Sequence, residues 1–243
     1  MKPWQIERAV TELCRDVERV VERKNSDEMS EQDLEYELLI CILGSGVHYE
    51  MSVAYADEIL LKGIPKIIKN NTDLSEVKIQ VEEILSAPAF LSLGSKFYKK
   101  YRYPKKSANY IVEAFNNIYS TYGSFLNLIY LMKTPSIFRR VLIDLCPGVG
   151  PKQSSHYLKN IGFTDNVAIL DRHIINYLRI IEGDEICLKQ ISKIDKYEEV
   201  EKKFQEVYSK FKKAIIDHRF EFYKTTRFFY EKYFHAAPLQ KQR

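Results

Sequence analysis

The chain has 243 residues, enough for one large domain or two small ones with a sizeable core. Apolar residues make up 45% and charged residues 29%, as in ordinary globular proteins, and 9 glycines and 8 prolines are too few for a β-sandwich, a propeller or a long disordered tail. The net charge of +4 hides an asymmetry, because residues 1–40 carry −5 and residues 202–243 carry +7.

The cysteine spacing and the hydropathy exclude two further classes. The four cysteines lie far apart, without the spacings of a zinc site or an iron–sulfur cluster, so we expect no bound metal and reduced thiols. The N-terminal segment has no apolar signal core, and no apolar run is long enough to cross a bilayer. We therefore expect a cytoplasmic protein, nucleoid-associated if it is prokaryotic, without a membrane partner.

Apolar residues recur at intervals of three and four along most of the chain, which predicts an all-α fold. The run from Leu38 to Leu43 is apolar on every side, which is typical of a helix in the middle of a bundle. No segment alternates as a strand would. In chain order, the predicted helices span residues 4–24, 31–43, 50–61, 76–86, 104–121, 135–145, 151–161, 171–181, 196–216 and 218–233.

The most informative segment is the turn after the predicted helix at 135–145, where Gly148, Val149 and Gly150 precede a new helix. The two glycines permit positive φ angles and a close approach by another stretch of backbone, and Val149 can insert into the core. The free N–H groups at the start of the second helix form an anion site that suits a phosphate. Residues 136–161 therefore predict a helix-hairpin-helix that binds the DNA backbone; the alternative is a plain αα-hairpin with a glycine turn.

Lys152 and Asp171 lie at the starts of two successive predicted helices. The helix dipole opposes a cation in the first turn, so this position, together with partial burial, favours a neutral and nucleophilic lysine. The same position also suits a lysine that only contacts phosphate. Asp171 is a favoured N-cap, and a carboxylate held there can orient a nucleophile or stabilise a developing cation.

The hairpin glycines and Lys152, followed nineteen residues later by Asp171, resemble the helix-hairpin-helix/Gly-Pro-Asp superfamily of DNA glycosylases. Within it, residues 147–174 are similar to the second family of 8-oxoguanine DNA glycosylase/lyases, the compact archaeal and bacterial type. Residues 37–43 and 101–115 support the same subfamily, so the resemblance covers about residues 35–180.

The resemblance implies two helical domains with an active-site cleft between them. The middle domain would span residues 31–165 and end in the helix-hairpin-helix, and the second would join residues 1–30 to residues 166–243. The protein would act as a monomer on double-stranded DNA, flip the damaged nucleotide into the cleft and need no cofactor.

The resemblance also implies a role for individual residues. Lys152 would attack C1′ of the sugar, displace an oxidised purine, foremost 8-oxoguanine, and form a Schiff base that permits β-elimination, with Asp171 assisting. Lys105 and Lys106 belong to a basic and aromatic strip, residues 96–106, that suits a DNA backbone. The expected DNA contacts are Gly148, Val149, Gly150, Arg172, His173, His48, Tyr49, Lys105 and Lys106.

Two alternatives stay open at the level of sequence. One is a glycosylase/lyase for another damaged base, because the chain continues past the family's usual end through an aromatic cluster at residues 228–234. The other is a helix-hairpin-helix protein that binds DNA without catalysis. We expect the basic segments 96–106 and 202–243 to line the DNA cleft and the acidic N-terminal residues to face away.

Overall fold

The structure is a computed structural model that describes residues 26–70, 73–88, 101–164, 166–182 and 190–209. All regular structure within these residues is helical, which confirms the predicted all-α class. Residue contacts divide the chain into two compact units, of which the larger is Lys24–Phe163 and the other includes the chain from Thr164 onward. The predicted domain boundaries stay a prediction, because residues 1–25 and 210–243 lie outside the described residues.

The described helices follow the predicted ones closely. Seven of them begin and end within one residue of the predicted limits. Two short helices, α3 (Ile64–Asn70) and α6 (Phe125–Leu131), were not predicted. The predicted helices at 4–24 and 218–233 lie outside the described residues. The larger unit contains α1 (Glu31–Leu43), α2 (Tyr49–Leu61), α3 (Ile64–Asn70), α4 (Ser75–Ser86), α5 (Pro104–Tyr122), α6 (Phe125–Leu131), α7 (Pro135–Leu145) and α8 (Pro151–Asn160). The second unit contains α9 (Arg172–Glu182) and α10 (Ile194–Ser209), and short 3-10 turns lie at Ser26–Glu28 and Gln190–Ser192.

Helix α1 lies at the centre of the larger unit, as its continuous apolar run predicts. It begins with a capping box, in which Ser30 Oγ accepts the N–H of Asp33 at 3.2 Å and Asp33 Oδ2 accepts the N–H of Ser30 at 2.9 Å. The residues from Leu38 to Leu43 are at most 3% exposed, and α1 packs against α2, α5, α6 and α8. The helix is therefore buried on several sides and supports the helix that follows the glycine turn.

Helix α5 supplies the other long side of this core. Its predicted apolar face is confirmed, since Ile111, Val112 and Phe115 are at most 1% exposed. Glu31 at the start of α1 accepts the N–H groups of Phe125 and Leu126 at 2.8 and 3.0 Å, so one carboxylate fixes the start of α6 to the start of α1. Among the described residues, no helix has both the length and the apolar character needed to cross a membrane.

Candidate active site

The turn between α7 and α8 is a tight hairpin. The N–H of Val149 donates to the carbonyl oxygen of Cys146 at 3.0 Å, and Gly148 has a φ of +85°, a combination typical of a type II turn with Pro147 at its second position. Val149 is 4% exposed, so the turn is anchored in the core as predicted. Gly150 caps α8 with a φ of −100°, so the predicted use of positive φ is right for Gly148 and wrong for Gly150.

Gly148 is required for steric as well as conformational reasons. A Cβ at this position would lie 2.3 Å from Cδ2 of Tyr110, whose ring from α5 packs directly on the turn. The Nζ of Lys106 lies 5.4 Å from the centroid of the same ring. Lys105 and Lys106 are both exposed. Tyr110 therefore joins the basic start of α5 to the hairpin and places Lys106 on the same part of the surface as the turn.

Buried polar side chains fix the two hairpin helices. Arg139 of α7 is 3% exposed and donates from Nη1 to Ser155 Oγ of α8 at 3.2 Å. The Ser155 hydroxyl donates in turn to the carbonyl oxygen of Pro151 at 2.8 Å. At the other side of the turn, Asn117 of α5 donates to the carbonyl oxygen of Leu145 at 2.8 Å. The end of α7 and the start of α8 are therefore held by specific bonds in addition to apolar packing.

Lys152 lies in the first turn of α8 with an exposed side chain, so the predicted partial burial is wrong and the amine is accessible to a ligand. The charge of Lys152 acts on the buried thiol of Cys41, which belongs to α1. Burial raises the pKa of Cys41 well above its ordinary value and Glu37 raises it further, while the Lys152 charge acts in the opposite direction. Lys152 is therefore close enough to α1 to act on a core thiol, although it faces solvent.

The loop after α1 carries His48 and Tyr49. His48 immediately precedes α2 and Tyr49 opens it; both are exposed, Tyr49 to 61%. Partial desolvation, Glu37 and Cys41 raise the pKa of the Tyr49 phenol. Tyr49 therefore lies within electrostatic range of Cys41 on α1.

Asp171 begins α9 in the second unit and is 7% exposed. Its Oδ1 accepts the N–H of Ile174 at 3.0 Å and its carbonyl oxygen accepts the N–H of Ile175 at 3.0 Å, which confirms the predicted N-cap. Arg172 follows as an exposed residue, whereas the side chain of His173 lies outside the described residues.

Four residues that contribute to these sites were missed by the sequence reasoning: Tyr110, Arg139, Tyr197 and Glu201. Tyr197 and Glu201 of α10 form hydrogen bonds with the backbone of the segment that leads to Asp171. Their spacing of four residues indicates only a common face of a helix. The bonds that give them a role join positions distant in sequence, so no local pattern could have identified them.

The predicted basic and aromatic strip is divided by the structure. Tyr101 is 4% exposed and donates to the carbonyl oxygen of Leu43 at 2.9 Å, so it belongs to the core and is unavailable for stacking on a base. Tyr103 is 47% exposed, with the guanidinium of Arg102 5.0 Å from its ring centroid. The part of the strip at 96–100, and most of the basic segment 202–243, lie outside the described residues.

The structure thus assigns the candidate residues to two units. The hairpin, Lys152, Lys105, Lys106, His48 and Tyr49 belong to the larger unit, and Asp171 and Arg172 belong to the second. In the part of the chain that the structure describes, no three His, Cys, Asp or Glu side chains form a group that could hold a metal ion.

Comparison with known proteins agrees with these features. A family model described as 8-oxoguanine DNA glycosylase matches residues 17–213. The 8-oxoguanine DNA glycosylase/AP lyase of Metallosphaera sedula is 29% identical over 199 residues, covering 81% of this chain and 83% of that protein. The protein of the same name from Methanocaldococcus jannaschii is 32% identical over 162 residues, covering 66% of this chain and 64% of that protein.

A solved structure shares the fold. It is the Methanocaldococcus jannaschii 8-oxoguanine glycosylase/lyase in complex with 15mer DNA containing 8-oxoguanine, with a TM-score of 0.57 and 23% identity, covering 84% of this chain and 81% of that one. The similarity includes the helix-hairpin-helix fold, and the family model extends over most of the sequence. The chain therefore belongs to the 8-oxoguanine DNA glycosylase family.

Proposed function

We propose that Lys152 is the nucleophile by which this chain excises 8-oxoguanine and cleaves the strand. Family membership supplies the enzyme class, a DNA glycosylase/AP lyase, and the lesion. The observation that carries the role of Lys152 is its position, since its exposed amine lies in the first turn of α8, directly after a hairpin shaped to hold a backbone phosphate. A lysine there meets the sugar of a nucleotide whose phosphate is bound by the turn.

The proposed chemistry begins with attack by the unprotonated form of the Lys152 amine. A bond forms between Lys152 Nζ and C1′ as the bond from C1′ to the base breaks, and the base leaves with the electron pair and takes up a proton. Opening of the sugar gives a Schiff base, whose electron demand acidifies C2′–H. Loss of that proton expels the 3′ phosphate and nicks the strand, and water then releases the lysine.

Asp171 is proposed to assist this step. Its N-cap bond to Ile174 fixes the carboxylate at the start of α9, and a fixed negative charge stabilises the oxocarbenium-like sugar as the base departs. A carboxylate already oriented by the protein needs no reorganisation during the reaction, which is the condition under which electrostatic stabilisation is largest.

The proposed partner is double-stranded DNA with a damaged base, bound by a monomer in the cytoplasm or nucleoid and without a membrane. The N–H groups of the turn at Gly148, Val149 and Gly150 would hold one phosphate, with Lys105 and Lys106 on the neighbouring backbone. His48 and Tyr49 would fill the gap left by the flipped nucleotide. Arg172 and His173 would contact the lesion strand beside Asp171.

Borohydride trapping tests the nucleophile. The wild-type chain should form a covalent adduct with a duplex containing 8-oxoguanine, because borohydride reduces the Schiff base to a stable amine. Lys152→Gln should form none while still binding the duplex. Lys62→Gln is the matched control. Lys62 lies at the C-terminal end of α2, outside the hairpin and its two helices, and its Nζ is 3.5 Å from Glu58 Oε1. An undiminished adduct with Lys152→Gln would exclude this lysine.

A panel of lesion duplexes tests the substrate against the two alternatives. Base release in single-turnover reactions should be fastest from 8-oxoguanine. Faster release of a different damaged base would show that this base, and not 8-oxoguanine, is the preferred substrate, and it would not contradict the role of Lys152. Binding to all duplexes without release or trapping on any of them would instead favour a DNA-binding protein without catalysis.

A further inference from the structure

The chain reaches Asp171 through a buried segment without regular secondary structure, residues 167–170. Val167, Ala168, Ile169 and Leu170 are each at most 4% exposed. Buried backbone N–H and C=O groups require partners, because leaving one without a hydrogen bond costs about 1–3 kcal/mol. In a strand a neighbouring strand would supply those partners, so in this segment they must come from elsewhere.

Two side chains of α10 supply partners for three of these backbone groups. The hydroxyl of Tyr197 accepts the N–H of Leu170 at 2.8 Å and donates to the carbonyl oxygen of Ala168 at 2.7 Å. Glu201 Oε1 accepts the N–H of Ala168 at 2.6 Å. Tyr197 is fully buried and Glu201 is 5% exposed, so solvent does not compete for these bonds. Together these side chains bond backbone N–H and C=O groups that a neighbouring strand would bond in a sheet.

The bonds fix the residue immediately before Asp171. On its other side, Asp171 is held by the α9 cap, and its own N–H donates to the carbonyl oxygen of Ile169 at 2.8 Å. The backbone of Asp171 therefore lies between two fixed points, the start of α9 and the Tyr197 hydroxyl. A shift of Leu170 would move the backbone of Asp171 and with it the carboxylate, because the two residues are joined by a peptide bond.

We propose that Tyr197 is a positioning residue for Asp171 in base excision, with Glu201 as a second support for the same segment. This inference rests on the proposed role of Asp171 and adds to it the element that sets the direction of the carboxylate. Neither residue touches the DNA in this proposal; both act through the backbone at 168–170. Small displacements of a catalytic group can slow a reaction by up to about 100-fold.

The test is Tyr197→Phe, which removes one oxygen and its two hydrogen bonds while keeping the ring. The matched control is Tyr157→Phe, because Tyr157 is also fully buried but its hydroxyl has no hydrogen-bond partner among the described residues. The single-turnover rate constant for base release is measured with the Kd for a duplex carrying an uncleavable lesion analogue. The active fraction of each variant is counted by borohydride trapping on abasic-site DNA, which corrects for misfolded protein.

We expect Tyr197→Phe to release the base about 10- to 100-fold more slowly than the wild type, with a Kd for the duplex within about twofold. Tyr157→Phe should have a rate constant and a Kd close to those of the wild type. In the Asp171→Asn background, followed over hours, Tyr197→Phe should cause no further loss, since no carboxylate remains to be positioned. Base release near the wild-type rate, or an equal loss of rate and affinity, would overturn the inference. So would a full additional loss in the Asp171→Asn background.

If Tyr197→Phe does not fold, Glu201→Ala decides the question by the same criteria, since it removes a different acceptor from the same segment. The experiment distinguishes the role of Asp171 in base excision from the positioning of Asp171 by Tyr197. Unimpaired base release by Asp171→Asn would remove the role of Asp171 and with it the positioning inference. A large loss in Asp171→Asn, with none in Tyr197→Phe, would remove the positioning inference alone.

Discussion

At the scale of single residues, Gly148 does two things that no other residue could do together. Its φ of +85° lies in the left-handed region, where a side chain costs about 1–2 kcal/mol. The missing Cβ also leaves the space that the Tyr110 ring occupies. Gly150, two residues later, has neither constraint. Its φ is −100°, and a Cβ added there would lie 3.5 Å from Gln153 Oε1, an ordinary contact distance.

Gly148→Ala should therefore destabilise the protein by about 2–4 kcal/mol, combining left-handed strain with overpacking against Tyr110. Gly150→Ala, the matched control, should change the free energy of unfolding by less than about 1 kcal/mol. Urea denaturation measures both. Adding Tyr110→Ala to Gly148→Ala should give a smaller loss than the sum of the single variants; full additivity would show that the ring contact has no energetic weight.

At the scale of elements, the half-buried carboxyl of Glu35 joins α1 to α5. The hydroxyl of Tyr119 donates to Glu35 Oε1 at 2.6 Å, and Lys69 of α3 lies 5.3 Å from the centroid of the Tyr119 ring. Burial raises the pKa of Glu35 and the nearby Glu31 raises it too, whereas the Tyr119 hydrogen bond and the Lys69 charge act in the opposite direction. The net shift is upward, so desolvation is the dominant effect.

The sign of this shift predicts a pH dependence. A folded carboxyl with a raised pKa binds its proton more tightly than the unfolded chain does, so the free energy of unfolding falls as the pH rises from about 4.5 through the folded pKa. Glu35→Gln keeps an oxygen for the Tyr119 hydroxyl but does not titrate. Urea denaturation between pH 4 and 8 should show this loss in the wild type and not in Glu35→Gln. Parallel curves for the two proteins would contradict the prediction.

Local chemistry explains which elements the sequence could predict. The hairpin and its two helices could be predicted because prolines and glycines mark their ends. Helices α1 and α5 could be predicted because their apolar patterns are long. Helix α6 was missed because it has seven residues and its start is fixed partly by Glu31, 94 positions earlier. The α3 helix, also of seven residues, was too short to give a periodic signal. At the site, Lys152 and Asp171 carry a local motif, whereas the bonds of Tyr197 exist only in the folded chain.

At the scale of the whole molecule, the net charge of +4 is less informative than its placement. Lys105 and Lys106 are exposed at the start of α5, and Tyr110, which packs on the hairpin, also lies beside Lys106. A phosphate backbone that crosses the hairpin would pass close to these lysines. Their contribution to DNA affinity should therefore depend on salt, since each phosphate contact releases condensed counterions.

Lys105→Ala and Lys106→Ala should each lower the slope of log K against log salt concentration by about 1, and the loss of affinity should be similar for damaged and undamaged duplexes. Lys62→Ala removes the same charge at the end of α2 and should leave the slope unchanged. Titrations at several salt concentrations, followed by fluorescence anisotropy, measure the slope. Equal slopes for all four proteins would remove Lys105 and Lys106 from the DNA interface.

The two buried thiols beside the hairpin have a consequence for the conditions in which the enzyme works. Burial raises the pKa of Cys146 to about 12 and that of Cys41 well above its ordinary value, so both stay protonated and enclosed. Oxidants react with exposed thiolates, and oxidants also produce 8-oxoguanine. The structure therefore keeps these two thiols in their least reactive form during the oxidative stress that generates the enzyme's substrate.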